Sequence, residues 1–515
     1  MTGHTARGPA AHTQPQGRAE QQGRTRAGVR TDLPGRVRHP AAGTGGQVAL
    51  HRWDGAAAFA SGTLEGLAVA DGAPVFPGRT ALVWEAPAGS AVYADPFGHR
   101  PRTWEWARWT SPWTEACLAT PHPHDHQDPD GPDRPDRPRD DGRDGLGGRG
   151  AGEWHAQELV PSWSATGPAG CRVTVRLQVR DAAGAVSGWF TMARWAAGDE
   201  VVHRTTVPGQ ADAFGAVDVD TFTAAPGRPV AAFRVRAVVH RLAEEAPADP
   251  PAGTGAHPKP GPGSDTDGGP DASTAGPAGD AVADVLPALH SLAVLASRAP
   301  APPLGAVSGP GGGWGTVLDV PRRSQEVHTG HCPQYDGGGE AWAGPACTAM
   351  LTAYFGRGPA ADDLTWLDPH DPAPDVDFTA RAVYDYAYRG CGNWAFNAAY
   401  PARWGLLGLV TRLRSLAELE RFILAGIPVA TAQAARSSEL GGYTSAGNIM
   451  VVCGFTPHGD VVVNDPLSPT DETVRRTYPR TDFERVWLTG GGVVYLLHPP
   501  DHPLPAPVPG HPANW

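Results

Sequence analysis

Residues 337–356 read GGGEAWAGPACTAMLTAYFG and predict a helix. Apolar side chains recur at helical spacing over residues 345–355, and Gly356 follows as the C-terminal stop. One face of the predicted helix carries its large apolar residues, Met350, Leu351, Tyr354 and Phe355. We expect this face to pack against neighbouring elements, which the flanking sequence has to supply.

Beyond this helix the sequence alternates between helix and strand signals. A capping box, Ser415-Leu416-Ala417-Glu418, opens a second helix that Gly426 ends. Short β-branched stretches predict strands at 427–434, 449–455, 461–464 and 493–497, with residues 457–460 as the turn of a hairpin. The mixture predicts an α+β domain over residues 316–500.

The sequence before this domain has a period of two. Val173, Val175, Leu177 and Val179 alternate with polar residues, and the same pattern recurs near residues 217–220 and 233–239. Such alternation predicts half-buried antiparallel strands, which proline and glycine turns separate at the spacing of all-β folds. Residues 49–300 are therefore predicted to form a β-sandwich or jelly roll, with 290–296 as a candidate closing strand.

Tryptophans are concentrated in the predicted sandwich. They are Trp104, Trp106, Trp109, Trp113, Trp154, Trp163, Trp189 and Trp195. Buried tryptophans fill a core, whereas exposed ones stack on sugar rings, so that a cell-wall polysaccharide is a candidate partner. The core interpretation is favoured.

Composition limits the remaining possibilities. The chain has 515 residues and a net charge of -12, which disfavours nucleic-acid binding. No apolar run reaches the roughly 18 residues of a membrane helix, so no membrane span is predicted. The first thirty residues show no secretory signal. The six cysteines have no metal-like spacing.

Three tracts and the C-terminus are predicted to lie outside the folded core. Residues 1–48 are rich in Gly, Arg, Thr and Gln, residues 121–152 in Asp, Pro, Arg, Gly and His, and residues 246–279 in Pro, Gly and Asp. All three tracts are predicted to be disordered, and residues 501–515 are predicted to form a tail. The second tract contains His122, His124, Asp125 and His126, but a flexible tract has no second shell to hold a metal. We predict no metal site and no cofactor.

Several motifs of the chain resemble a known family. They are LDVPRRSQ (318–325), GGGEAWAGPACTAMLTAYFG, YDYAYRGCGNWAFN (384–397), SAGNIMVVCGF (445–455) and VVVNDP (461–466). They are similar to papain-like cysteine peptidases related to the bacteriocin-processing, double-glycine-leader peptidases. EWARWTSPW (105–113) and HRTTVPGQ (203–210) extend the resemblance to actinobacterial secreted members with an N-terminal β-sandwich. The resemblance implies a papain-like C-terminal fold.

The resemblance also implies roles for four positions. The nucleophilic cysteine of such enzymes precedes the Gly-Pro that opens the helix, where this chain has Ala343. The histidine base matches Asn448, the orienting acid matches Asp465 and the oxyanion-hole glutamine matches Gln325. Because an alanine and an amide cannot replace a thiol and an imidazole, the resemblance implies a degenerate catalytic pair. Asp465 and Gln325 are equally compatible with structural roles.

Cys347 is the alternative nucleophile. It follows Ala343 by one helical turn, about 6 Å deeper along the same face, and would need a new base, for which His328 and His331 are the candidates. A buried core cysteine is the favoured interpretation, and the same holds for Cys453.

The sequence therefore predicts a pseudopeptidase that binds a peptide or protein ligand. The alternatives are an active cysteine peptidase or acyl transferase that uses Cys347, and a carbohydrate or cell-wall binder that uses the sandwich. The resemblance implies an extracellular location, while the absence of a visible signal leaves a cytoplasmic one open.

Overall fold

The computed structural model describes residues 47–71, 75–117, 154–243, 287–298, 307–433, 448–509 and 511–515. The tracts 121–152 and 246–279, residues 1–46 and the cluster around His124 lie outside the described residues. All described residues fall in one compact unit.

The N-terminal part consists of antiparallel strands and one short helix, α1 (Ala56–Ala60). In chain order the strands are β1 (Val48–Trp53), β2 (Thr63–Glu65), β3 (Leu67–Asp71), β4 (Thr80–Trp84), β5 (Gly89–Tyr93), β6 (Arg102–Thr110), β7 (Thr114–Glu115), β8 (Glu158–Thr166), β9 (Cys171–Asp181), β10 (Phe190–Trp195), β11 (Gly215–Asp218), β12 (Thr221–Ala224), β13 (Val230–Leu242) and β14 (Ala288–Ser297).

In the described part of the chain these strands form two seven-stranded sheets. One has the order β11-β12-β8-β14-β4-β3 with β1 also paired to β14, and the other has the order β10-β9-β13-β6-β2 with β5 on β6 and β7 on β13. Alternate residues of both sheets, such as Leu159, Val175 and Val235, share one core. The predicted β-rich N-terminal part is confirmed. The strand predicted at 290–296 lies inside its sheet, between β8 on one side and β1 and β4 on the other.

The tryptophans of the sandwich fall into two groups. Five are buried: Trp104, Trp109, Trp154, Trp163 and Trp195. Three are half-buried and carry a guanidinium over the ring, with Arg108 5.2 Å from Trp106, Arg234 5.0 Å from Trp113 and Arg236 4.1 Å from Trp189. An arginine guanidinium thus lies over one face of each of these three rings.

The C-terminal part combines helices with one sheet. Its helices are α2 (Ala343–Tyr354), α3 (Pro374–Val383), α4 (Trp394–Ala399), α5 (Leu416–Leu424) and α6 (Arg480–Thr489). Its strands are β15 (Leu407–Arg412), β16 (Val429–Gln433), β17 (Asn448–Phe455), β18 (Val461–Asn464), β19 (Arg475–Tyr478) and β20 (Val493–His498). Within the described ranges they form a six-stranded antiparallel sheet with the order β15-β20-β16-β17-β18-β19.

Helices α2 and α5 follow the predicted signals closely. Helix α2 begins two residues before the predicted start, since the Ala346 N–H already donates to the carbonyl of Trp342 (2.9 Å). Helix α5 has the predicted cap, in which the Ser415 hydroxyl accepts from the Glu418 N–H (3.2 Å). Gly426 follows this helix with a left-handed φ of 74°.

The two parts are joined through strand β8. Its Ser164 and Ser162 hydroxyls accept from the N–H groups of Gly408 (3.0 Å) and Val410 (3.1 Å) on β15, the edge strand of the six-stranded sheet. Arg412 at the end of β15 pairs with Glu158 at 2.6 Å, and both side chains are buried. Strand β8 is therefore buried on both faces.

The C-terminal residues contact both parts. The Leu50 N–H donates to the carbonyl of Ala513 (2.9 Å), and the buried Asn514 side chain donates to the carbonyl of Arg412 (2.8 Å). The end of the segment predicted as a tail is thus packed against β1 and β15. No helix in the described ranges is long and apolar enough to span a membrane.

Candidate active site at the start of helix α2

Trp342 directly precedes helix α2 and anchors its first turn. This side chain is fully buried, and its indole N–H donates to the carbonyl of Tyr335 (2.7 Å). Ala343 follows as the first helical residue and is half-buried. The first turn contains no acidic side chain, so the helix dipole at this end is not neutralised. The position therefore has the field that would stabilise a thiolate, but it carries only a methyl group.

Strand β17 begins with Asn448, which is 4% exposed. Its amide Nδ2 donates to Asp465 Oδ1 (3.2 Å). Asp465 also accepts from the Leu467 N–H (3.1 Å) and from the Tyr478 hydroxyl at Oδ2 (2.8 Å). Burial raises the pKa of Asp465 above its ordinary value, and these bonds oppose the shift. The carboxyl thus holds the side chain of Asn448 in a fixed direction.

Gln325 lies beside this pair and is 1% exposed. Its backbone N–H donates to the carbonyl of Pro466 (2.8 Å), next to Asp465 in the chain. Its side-chain Nε2 donates to the carbonyl of Glu340 (2.8 Å) and to Glu326 Oε1 (3.1 Å). Both of its amide hydrogens are therefore directed at protein acceptors.

Three amide oxygens around this site have no hydrogen-bond partner among the described residues. They belong to Gln325, Asn448 and Gln433, and all three are buried. Gln433 lies directly opposite Asn448 in the pairing of β16 with β17, which directs the two side chains to the same face. The orientation of each side-chain amide is fixed because its nitrogen already donates to an oxygen. In Gln433, Nε2 donates to Thr431 Oγ1 (2.9 Å).

Cys347 lies in the core. It is fully buried, and its thiol donates to the carbonyl of Ile449 (3.3 Å). Burial raises its pKa well above the ordinary value. Since Ile449 follows Asn448 and Ala343 lies one turn before Cys347, the same helix-strand contact places the start of α2 towards the start of β17.

His328 and His331 are directed towards carboxylates, away from Cys347. His328 Nδ1 lies 2.6 Å from Asp377 Oδ2, and His331 Nδ1 lies 3.3 Å from Asp377 Oδ1. Both also approach Asp371, at 3.6 Å. Sequence reasoning named the histidines but missed both aspartates, and it also missed Tyr478 and Gln433. Only the folded chain brings these residues to the site.

One cavity lies between the sandwich and the segment that follows α3. It has a volume of about 300 Å³, and its lining includes Phe97, Arg194, Thr205, Tyr386 and Arg389. Helix α3 is tied to the sandwich nearby, because Arg381 pairs with Asp199 at 2.6 Å.

Comparison with known proteins assigns this architecture. A family model described as the Peptidase C39 like family matches residues 317–495, which include the six-stranded sheet nearly whole and helices α2 to α6. The chain belongs to the peptidase C39-like family. A second family model, described as the Peptidase C39 N-terminal domain, matches residues 49–121 and 150–250 in the N-terminal part of this family member. No curated protein and no solved structure matches. The resemblance seen in the sequence is confirmed.

Proposed function

We propose that this peptidase C39-like protein is a catalytically inactive peptide-binding protein, with a papain-like arrangement of its C-terminal helices and sheet. The observation that carries the proposal is the Asn448–Asp465 hydrogen bond of 3.2 Å, in which an amide occupies the place of the base that the acid would orient. An amide nitrogen has no lone pair available for a proton at neutral pH.

The other two catalytic positions support the same conclusion. Ala343 has no atom that could attack a carbonyl carbon. Gln325 directs both amide hydrogens at Glu340 and Glu326, whereas an oxyanion hole requires donors aimed at the reacting oxygen. Loss of a nucleophile and base together removes several orders of magnitude in rate.

The active-peptidase alternative depends on Cys347, and its surroundings oppose it. The thiol faces the carbonyl of Ile449 inside the core, and its pKa is raised rather than lowered. A reactive cysteine needs a stabilised thiolate and access to substrate. His328 and His331 approach Asp377 instead of this thiol.

Peptide binding is supported by the amide oxygens of Gln325, Asn448 and Gln433, which have no hydrogen-bond partner among the residues that the structure describes. A buried acceptor without a partner costs about 1–3 kcal/mol, which a donor from a ligand recovers. A peptide backbone presents N–H donors at regular intervals along an extended chain. The site has thus exchanged the donors of an oxyanion hole for acceptors that suit a peptide N–H.

The test combines turnover with binding on the full-length protein. A random peptide library that includes Gly-Gly sequences is incubated with the protein and followed by mass spectrometry, and retained peptides are titrated by calorimetry. We expect no cleavage and a reproducible set of binders. Cleavage that disappears in Cys347→Ser would overturn the proposed inactivity, and a library without any binder would overturn peptide binding.

A matched pair of variants locates the binding site. Gln433→Met removes an unpartnered acceptor and should weaken peptide binding by roughly five- to tenfold, the worth of one hydrogen bond. Gln210→Met makes the same change in the sandwich, where the amide already bonds Thr191 on both atoms. The control should bind as the native protein does. Equal affinities for the two variants would place the peptide elsewhere.

A further inference from the structure

Four side chains converge beside the loop that leads into helix α2. His328 and His331 come from this loop, Asp371 precedes helix α3, and Asp377 lies in its first turns. One nitrogen or oxygen of each lies within 4.8 Å of those of the other three. The chain separations of about 40–50 residues mean that folding, rather than local sequence, assembles the group.

His328 and Asp377 are the buried members of this group, whereas His331 and Asp371 are half-buried and Asp371 accepts from the Ala373 N–H (3.0 Å). His328 is fully buried and Asp377 is 1% exposed. Among the described residues, neither ring nitrogen of His328 and neither carboxylate oxygen of Asp377 makes a directional hydrogen bond. The 2.6 Å approach of His328 Nδ1 to Asp377 Oδ2 is a close contact without that direction. Buried groups of this kind are ordinarily satisfied, so their convergence requires an explanation.

A second histidine and carboxylate group shows what a satisfied cluster looks like. The Asp95 carboxylate accepts from the backbone N–H groups of His203 (2.7 Å) and Phe97 (2.9 Å). It also hydrogen-bonds the ring Nδ1 of His203 (2.9 Å). His99 Nε2 bonds the carbonyl of Asp199 (2.8 Å). These contacts account for the group by themselves, and it serves as the internal control.

We propose that His328, His331, Asp371 and Asp377 bind one zinc ion. Imidazole nitrogens and carboxylate oxygens are zinc ligands, and structural sites are tetrahedral with bonds of about 2.0–2.2 Å. Donor atoms of a tetrahedral site then lie about 3.3–3.5 Å apart. Measured from each histidine Nδ1 to one of the two oxygens of each carboxylate, the four histidine-to-aspartate separations are 2.6, 3.3, 3.6 and 3.6 Å, which brings the donor groups close to this spacing. Two neutral imidazoles and two carboxylates also balance the charge of the divalent ion.

The donor set distinguishes among metals. Magnesium and calcium take mainly oxygen ligands and higher coordination numbers, which two imidazoles do not suit. Zinc exceeds manganese and iron in affinity for nitrogen and oxygen sites of this type. The side chain of His331 is 35% exposed, which gives the ion a route from solvent.

The position of the ion defines its role. It would fasten the loop that carries Gln325 and Trp342 to helix α3. The His328 ring lies 6.2 Å from the ring of Trp342, which precedes Ala343. Gly339 packs so closely against the backbone of Gln325 and His328 that a side chain has no room there. The zinc ion is therefore a structural element that holds the candidate active site in place.

The first experiment measures zinc in the full-length protein, purified without a polyhistidine tag. Elemental analysis should find about one zinc per chain. Removal by a chelator should lower the melting temperature and speed amide hydrogen exchange across residues 325–342, and added Zn²⁺ alone should restore both. A chelator-stripped protein that binds no zinc would overturn the proposal in favour of bare imidazole-carboxylate pairs. One that binds manganese or iron more tightly would overturn the assignment of the site to zinc.

Variants assign the ligands. His331→Ala removes the most exposed ligand and should weaken zinc binding on the order of 100-fold while the chain still folds. Asp377→Asn should do the same, and if it fails to fold, His331→Ala alone decides. His203→Gln in the satisfied cluster should retain the zinc. Loss of zinc in this control, or its retention in His331→Ala, contradicts the assigned ligand set.

Discussion

A single side-chain exchange changes what the carboxyl of Asp465 can do. An imidazole between this carboxyl and a thiol could carry a proton, whereas Asn448 Nδ2 donates permanently to Oδ1 at 3.2 Å. The Tyr478 hydroxyl occupies the other oxygen at 2.8 Å. Because Asp465 still holds the side chain at position 448, restoring the thiol and the imidazole tests the register directly.

We expect the double variant Ala343→Cys and Asn448→His to have a reactive thiol. The new cysteine would lie at the unneutralised start of helix α2, beside an imidazole oriented by Asp465. Its pKa should fall well below the ordinary value of about 8.5, and its reaction rate with iodoacetamide near neutral pH should rise accordingly.

The single variant Ala343→Cys is the control for this experiment. It gains the helix field but no imidazolium, and it should react more slowly than the double variant. Mass spectrometry of the alkylated peptide separates its thiol from that of Cys347. A folded double variant whose new thiol titrates as an unperturbed cysteine would show that Ala343 and Asn448 do not occupy the assumed positions.

The sequence offered Gln325, Ala343, Asn448 and Asp465 as candidates because each lies in a motif that can be read locally, and their roles stay predictions. Tyr478 and Gln433 could not be found in that way, since strand pairing alone brings them to Asp465 and Asn448. The partners of His328 were hidden for the same reason, as helix α3 supplies them from the next segment of the chain.

At the level of elements, helix α4 is attached to the sandwich by one buried carboxyl. Asp220, in the turn between β11 and β12, accepts from the N–H of Trp394 at the start of the helix (2.7 Å) and from the Thr221 hydroxyl (3.1 Å). Burial raises the pKa of Asp220 from 3.8 to about 6, against the effect of these bonds. The junction is therefore sensitive to pH.

The direction of this sensitivity follows from proton binding. In the folded chain Asp220 holds its proton up to about pH 6, while in the unfolded chain it ionises near pH 4. The free energy of unfolding should therefore fall as the pH rises from about 4 to about 6, by roughly 3 kcal/mol at 1.4 kcal/mol per pKa unit. In urea denaturation, the free energy of unfolding of the native protein should show this fall with pH. The free energy of unfolding of Asp220→Asn should lack it.

Asp218→Asn is the matched control, since this exposed carboxyl lies two residues away on β11. It should leave the pH profile of the native protein unchanged. If Asp220→Asn shows the same loss of stability between about pH 4 and 6 as the native protein, another group produces the slope.

Helices and strands that have a local sequence signal were predicted well. The sequence did not indicate the order of the strands in the sheets. Helix α5 and strand β18 agree with the capping box and with the β-branched run at 461–464. Strand β14 was placed as a closing strand, but it pairs with β8, β1 and β4 inside its sheet. Its pairing depends on residues more than a hundred positions away, which periodicity does not reveal.

At the scale of the whole molecule, the buried pair of Arg412 and Glu158 joins the two parts at 2.6 Å. Removing one member of such a pair leaves an uncompensated buried charge, which costs about 3–5 kcal/mol, whereas removing both can be nearly neutral. We expect Glu158→Gln, which removes the carboxylate beside the buried Arg412, to lower the free energy of unfolding by that amount, measured by urea denaturation.

The double change Arg412→Met and Glu158→Gln is the control and should recover most of the loss. It should also unfold in one transition, because the cores of the two parts are continuous. A single variant as stable as the native chain would show that Arg412 is compensated by other contacts.

The spacing of the two serines of β8 also fixes the register of β8 against β15. Ser162 and Ser164 lie two residues apart on β8. Gly408 and Val410, whose N–H groups donate to these hydroxyls, lie two residues apart on β15. An insertion of one residue between these amides would leave one hydroxyl facing a side chain instead of a donor. Length changes during evolution should therefore be tolerated outside β15 and β8 and excluded within them. The same hydroxyls occupy the N–H groups of Gly408 and Val410 at the open edge of the sheet, which an added strand of another chain would need as donors.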